Sequence, residues 1–211
     1  MTLSTAIYRE LRADILAARL QPGMKLRLGA LGVRFNSASS AVREALNRLV
    51  AEGFVLVEDQ RGFHVAPVSE GELEELVVAR GLIDGVAVTE GIRARDPAWE
   101  ERLVLALHRL SRASRWASAE PVTPDPEWER LHREFHLALT DGCDSRWVRR
   151  ISAQLFDAAE RYRLVAAPLI QERHELDEHR AIVDACLARK VKEAVALLKE
   201  HYGKTFAVIM A

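Results

Sequence analysis

FNSASSAVREALNRLVAEGFVLVEDQRGFHVAP, residues 35–67, carries the strongest fold signal in the chain. Val42, Leu46, Leu49 and Val50 recur at helical spacing, with Arg43, Asn47 and Arg48 on other faces of the same turns. Ser39 or Ser40 is the expected N-cap, and Gly53 is the expected left-handed stop. Two β-rich runs follow, Phe54–Val57 and Phe63–Val65, joined by Glu58-Asp59-Gln60-Arg61-Gly62. Helix, strand, tight turn, strand is the order of a winged helix-turn-helix, which lays one helix in the DNA major groove and touches the backbone with the wing.

Upstream, Ser4 or Thr5 is placed to cap a first helix with Ile7, Leu11, Ile15 and Ala18 on one face, ended by Gln21-Pro22-Gly23. A short second helix is expected from about Leu28 to Phe35. Downstream of the Ala66-Pro67-Val68 linker, Ser69 and Glu72 make a capping box opening a helix to about Ala94. Further helices are expected at about Trp99–Ser118, Pro126–Thr140, Ser145–Val165, Ile170–Ala188 and Lys192–Val208, with residues 120–126 as a loop and Pro168 as a breaker. The expectation is therefore a mainly α protein: residues 1–68 a winged helix-turn-helix, residues 69–211 an all-α bundle of about six helices.

Composition suits globular folding, with 49% hydrophobic and 29% charged residues. No apolar run approaches the roughly 18–20 residues of a membrane span, and the N-terminus lacks a signal-peptide core, so a cytoplasmic protein is expected. The net charge of −1 hides an asymmetry. Residues 1–68 hold nine Lys/Arg and six Asp/Glu, a net +3, and the remainder is net −4. Local sign matters because phosphate contacts are screened beyond a Debye length of about 10 Å. Cys143 and Cys186 suit a reducing compartment and read as bland thiols.

Arg27, Arg34, Ser37, Ser39, Ser40, Arg43 and Asn47 cluster on or beside the second and third helices. Hydroxyls and backbone N–H groups at a helix start donate to phosphate, and Arg43 and Asn47, one turn apart, are types that read purine edges. Arg61 and Gly62 at the wing tip and His64 in its strand complete the candidate DNA surface. On an isolated helix the same residues would read as an ordinary solvated face. A second constellation is His132 and His136, one turn apart on a helix, with His179 and His201 on later helices that a bundle can bring to one interior point. Arg80, Arg161 and Arg163 are candidate anion anchors. Arg80 reads equally as an internal ion pair with Asp84, and Arg161-Tyr162-Arg163 as a solvent-exposed helix end. No G-x-S-x-G, P-loop, G-x-G-x-x-G or HExxH is present, so no enzyme is expected.

AIYRELRADILAARLQPGMKLR, VREALNRLVAEGFV and RGFHVAPVS resemble the GntR family of bacterial transcription regulators. FHLAL at 135–139 and EHRAIVDA at 178–185 extend the resemblance to its FadR subfamily, whose helical ligand-binding part is the FCD domain. It implies a homodimeric repressor or activator on double-stranded operator DNA, controlled by a small carboxylate. Members often hold a metal with one Asp and three His. Here the Asp position is His132, giving His132, His136, His179 and His201. That set implies a divalent ion, Zn²⁺ or Ni²⁺ ahead of harder ions, and an anionic ligand; a metal-free pocket is the alternative. WERLHREFHLAL, GCDS and LFDAAERYR resemble the glutarate-responsive branch, which implies glutarate as effector. Where most relatives read SRTPVREAL, this chain reads Ala38-Ser39-Ser40-Ala41 before Val42, so the family's base-reading Arg is absent. A metal-dependent enzyme built on the histidines and a regulator answering to another organic acid are the competing readings.

Overall fold

The computed structural model describes residues 2–119, 122–166 and 175–210. These described residues form two compact units, one within residues 2–69 and 160–165, the other within residues 70–119, 122–159, 166 and 175–210.

In the first unit, α1 (Leu3–Leu16), α2 (Leu28–Arg34) and α3 (Ser39–Ala51) pack on a three-stranded antiparallel sheet. Its strands are β1 (Lys25–Leu26), β2 (Val55–Glu58) and β3 (Gly62–Val65), in the order β1-β3-β2. Ile7, Leu11 and Ile15 of α1 meet Val42, Ala45, Leu46 and Leu49 of α3, and Phe54, Phe63 and Val65 close the core from the sheet. Each of the Ile, Leu, Val and Phe side chains contributes about 1.5–3 kcal/mol by burial. Gly53 ends α3 as expected. Its φ is +78°, its N–H donates to Val50 O, and Phe54 N–H reaches back to Leu49 O, which together make a Schellman stop.

Three local expectations are corrected here. Thr2, not Ser4 or Thr5, caps α1, its side chain accepting from Thr5 N at 3.3 Å. Ser4 lies inside the helix and donates to Glu44 at 2.8 Å. α1 stops at Leu16, before Gln21-Pro22-Gly23, because Ala18 turns to φ +53° and Asp14 O takes the N–H groups of Arg19 and Leu20. The N-cap of α3 is Ala38, with no side-chain cap bond. β1 is too short to leave a sequence signal; it is held by pairing of Lys25 with His64 and Leu26 with Phe63.

In the second unit, the described helices are α4 (Glu70–Ala94), α5 (Pro97–Arg112), α6 (Pro126–Thr140), α7 (Arg146–Val165, its last turn grouped with the first unit), α8 (Glu175–Leu187) and α9 (Val191–Met210). Asp96 and Asp125 cap α5 and α6, each followed by Pro at the first helical position, where a missing N–H costs nothing. α4 runs along α9, α8 against α9, and α5 against α6. Val88, Trp99, Leu103, Trp128, Phe135, Leu139, Ile182 and Leu198 fill the space between them.

The unit is not purely helical. α5 ends at Arg112, six residues short of the expected end, and β4 (Trp116–Ala119) pairs antiparallel with β5 (Val122–Pro124). Tertiary contacts override a helix-compatible local sequence: Arg115 O accepts from Asp125 N at 3.0 Å, and the Arg115 guanidinium lies against the Trp116 and Trp128 rings. The expected break at Pro168 and the first residues of the helix drawn from Ile170 lie outside the described residues. No described helix is long and apolar enough to cross a membrane. Both cysteines are free and buried, and burial pushes the Cys186 thiol up to about 12.

Candidate DNA-reading face and imidazole cluster

In the first unit, the period of α3 sorts its side chains. Val42, Ala45, Leu46 and Leu49 are buried, while Ser39, Ser40, Arg43 and Asn47 form an exposed stripe. Arg43 makes no ion pair among the described residues. The start of α3, uncapped by any side chain, leaves backbone N–H groups directed outward, the arrangement that takes a phosphate. Arg27 is exposed at the start of α2, and Ser37 is half-buried in the turn. At the wing tip Arg61 is exposed and 3.1 Å from Glu58, beside Gly62 at φ +82°. His64 is half-buried with Nδ1 lacking a hydrogen-bond partner.

Arg34 is placed differently from the rest. Its guanidinium donates to Asp14 at 2.6 Å and Glu10 at 2.7 Å. Burial acts to raise the Asp14 pKa, but the hydrogen bonds from Arg19 and Arg34 outweigh it and hold the carboxyl below its usual range. Arg34 thus braces α2 to α1. Arg48 is likewise engaged within the unit, 3.9 Å over the Tyr8 ring.

In the second unit, α6 carries His132 and His136, α8 carries His179, and α9 carries His201; all four are buried. Nε2 of His132 and of His136 are 3.2 Å apart. One ring nitrogen from each of His132, His136 and His179 falls within 4.8 Å of the others. The His201 ring stands beside them, 4.7 Å from His179 and 5.3 Å from His136 between centroids, and its Nδ1 meets Glu178 at 2.7 Å. Trp128 stacks on His132 at 4.6 Å, and Phe135 and Phe156 close the remaining sides. Burial first, then the positive charge of His132, His179, Arg80 and His201, pushes His136 well below the usual imidazole range. A neutral ring offers a lone pair.

The donor chemistry fits a divalent ion. A tetrahedral metal with M–N bonds near 2.05 Å holds its nitrogens about 3.3 Å apart, close to the His132–His136 separation. Glu178 was missed in the sequence. It follows the imidazoles as the carboxylate that orients one of them, fixing the His201 tautomer and leaving Nε2 for other work. Neighbours on a helix diverge by about 100°, so the pairing of Glu178 with His201 requires α9 to dock. It also supplies negative charge that the four-imidazole set lacks.

Arg80 lies beside this cluster on α4. Its guanidinium is buried, 3.9 Å over the Tyr202 ring and 5.2 Å over Phe156, with Nε 3.7 Å from Asp84. That separation is an ion pair without a hydrogen bond, and Nε and Nη2 of Arg80 have no hydrogen-bond partner. Tyr202 donates to Asp84 at 2.7 Å; burial raises its pKa well above the usual phenol value, so it stays a donor. Arg161 and Arg163, expected to face solvent, are instead buried among residues of the first unit. Arg161 donates to Ala66 O at 2.7 Å and to Pro67 O, and Arg163 pairs with Glu160.

Residues 3–65 match the bacterial regulatory proteins of the gntR family, and residues 75–204 match the FCD domain. A winged reader followed by an FCD-type helical unit defines the class: the chain belongs to the GntR family, with FadR-subfamily architecture, and is a DNA-binding transcription regulator, not an enzyme. Among curated relatives it is 35% identical over 209 residues to the HTH-type transcriptional regulator BphR of Paraburkholderia xenovorans, covering 99% of this chain and 85% of that protein. It is 33% identical to the HTH-type transcriptional repressor GlaR of Escherichia coli, covering 92% and 90%. Among solved structures, E. coli McbR/YncC superposes with a TM-score of 0.79 at 20% identity, covering 100% of this chain and 98% of that one. A GntR regulator from Rhodococcus gives 0.77 at 22%, covering 98% and 97%. At these identities the two structures establish the fold.

Proposed function

We propose that this chain is a metabolite-responsive repressor, acting in the cytoplasm as a homodimer on a palindromic operator, with the domain boundary near residue 68. Arg43 and Asn47 read base edges; Ser37, Ser39, Ser40 and Arg27 engage phosphate at the start of α3; Arg61, Gly62 and His64 carry the wing contact. Arg34 belongs to the brace that holds the reading helices. His132, His136, His179 and His201 hold a Zn²⁺ or Ni²⁺ ion, which supplies a Lewis-acid site for a carboxylate. Arg80 is the anchor for that carboxylate, which we take to be a small organic acid such as glutarate. Arg161 and Arg163, paired to backbone and Glu160, serve the architecture around the linker rather than the ligand. A single observation carries this assignment: three imidazole nitrogens converge beside a buried guanidinium with two nitrogens, Nε and Nη2, that make no hydrogen bond. Buried donors left without a hydrogen bond are costly, and an anion that accepts from them relieves that cost.

The test is metal analysis of the purified protein, followed by operator gel shifts with and without glutarate. We expect about one ion per subunit and release of the operator by the acid. A protein that carries no metal after reconstitution with Zn²⁺ or Ni²⁺, or whose operator affinity ignores every short carboxylate, refutes the sensing half. The DNA-reading half is tested separately by the Arg43 variant described below.

A further inference from the structure

Helix α4 has two unlike sides. Leu73, Arg80, Asp84, Ala87, Val88 and Ile92 are buried within the second unit. Glu75, Val78, Leu82, Val86, Thr89 and Arg93 follow one another at steps of three or four residues and share the opposite side. Thr89 is half-buried and the other five are exposed, Val78 and Leu82 at 59% and Val86 at 52%. The three aliphatic side chains, each one turn from the next, make a continuous apolar strip with a charge at either end. A contiguous strip rimmed by polar residues marks a docking face in a way that scattered exposed side chains do not.

Beside the strip lies an open groove of about 370 Å³ between α4 and α9, lined by Gly81, Leu82, Gly85, Val86, Val195 and Lys199. A Cβ at Gly81 would stand 3.2 Å from the Lys199 side chain, and one at Gly85 3.3 Å from Val195. Glycine at these positions lets α9 lie close and leaves the groove floor bare. Thr89 donates its hydroxyl to Gly85 O at 2.7 Å, so its polar group is satisfied within the helix.

The end charges decide what covers the strip. Glu75 makes no ion pair among the described residues. Arg93 has one with Glu90 at 3.2 Å, but both side chains are more than half exposed, so the pair holds Arg93 weakly. Acid at one end and base at the other make the strip complementary to itself turned end for end. Consider two antiparallel copies of α4 about a twofold axis level with Asp84, midway between Leu82 and Val86. Glu75 then meets Arg93, Leu82 meets Val86, and Val78 meets Thr89, and symmetry makes each pair twice. A parallel pair would set Glu75 on Glu75 and Arg93 on Arg93, which like charge opposes. An antiparallel pair centred on Leu82 would leave Glu75 facing Thr89 and Arg93 facing Gly71.

We infer that α4 is the face by which two copies of this chain join, antiparallel and centred beside Gly85, with Glu75 and Arg93 paired across the axis at both ends. This rests on the homodimer proposed above and names its interface and register.

The test is sedimentation equilibrium of the full-length protein over a dilution series. Glu75→Arg and Arg93→Glu should each raise the dimer dissociation constant at least about tenfold, because two like-charge contacts replace two opposite ones. Glu75→Arg combined with Arg93→Glu should restore the dimer. The combined variant carries the helix-dipole penalties of both swaps, so only the cross-pair accounts for recovery. Leu82→Glu, at the centre of the strip, should sediment as a monomer with unchanged far-UV CD. A dimer indifferent to the charge swaps, or single-swap losses that the combination does not reverse, overturns the α4 pairing while the homodimer stands. An unaltered protein that is monomeric at every concentration overturns both.

Discussion

Arg43 and His136 show how differently one residue's role is decided in the two units. Arg43 is exposed on the α3 stripe, so its worth lies in what it meets outside the protein. Arg43→Ala is expected to weaken operator binding by about 1–3 kcal/mol and to relax preference at one base pair, as measured by gel shift on substituted operators. A uniform loss over all sequences identifies a phosphate contact instead. His136 is buried, and its role is set by the rings around it. His136→Ala should abolish bound metal while leaving the helical far-UV CD signal intact; unchanged metal content places the ion elsewhere. Its protonation predicts a pH dependence as well. The folded pKa lies well below the unfolded value of 6.5, so below that pH the unfolded chain binds a proton that the folded one refuses. In chelator, stability should be full above pH 6.5 and fall by up to about 1.4 kcal/mol per pH unit below it. Urea midpoints from pH 7.5 to 5.5 read this, and His136→Gln should flatten part of the slope.

Elements meet most tightly where glycine permits it. The loop after α6 crosses α4 at Gly142, where a Cβ would stand 2.8 Å from both Gly91 Cα and the Trp99 ring. Backbone and a buried indole cannot both yield, so Gly142→Ala should cost about 1–3 kcal/mol or more in urea unfolding. Gly71 has open space, and Gly71→Ala in α4 should be neutral or slightly stabilising. A Gly142→Ala protein of unchanged stability would mean that α4 and the α6–α7 connection do not approach as described. The β4–β5 hairpin belongs to this scale too. It brings Arg115 to Trp128 and Glu175, and a helix continued through Ser118 would carry Arg115 elsewhere.

For the whole molecule, charge is divided along the sequence: a net +3 over residues 1–68 against −4 over residues 69–211. Operator affinity should fall steeply with salt, log K losing about 0.9 per phosphate neutralised for each unit of log salt. Filter binding between 50 and 300 mM salt measures the slope; a flat plot contradicts backbone engagement by Arg27 and Arg61. A ligand held only by the folded state raises its melting temperature by mass action. Metal-loaded protein should therefore melt higher than chelated protein, and the carboxylate response should disappear on chelation.

Local signals alone determined most of the helices and the wing, though not β1 or the β4–β5 hairpin. The 3.6-residue period of α1, α3, α4 and α6, the Gly53 stop, the wing strands and the pairing of His132 with His136 on one helical face are properties of neighbours in the chain, and short-range sterics and hydrophobic spacing suffice to specify them. What required the folded structure was everything joining distant residues: the burial of Arg161 and Arg163, the commitment of Arg34 to Asp14, the Glu178–His201 pair and the hairpin that turns Arg115 toward His179. Such contacts form only after loop closure has been offset by burial elsewhere. Their partners therefore lie tens of residues apart, and no periodicity connects them.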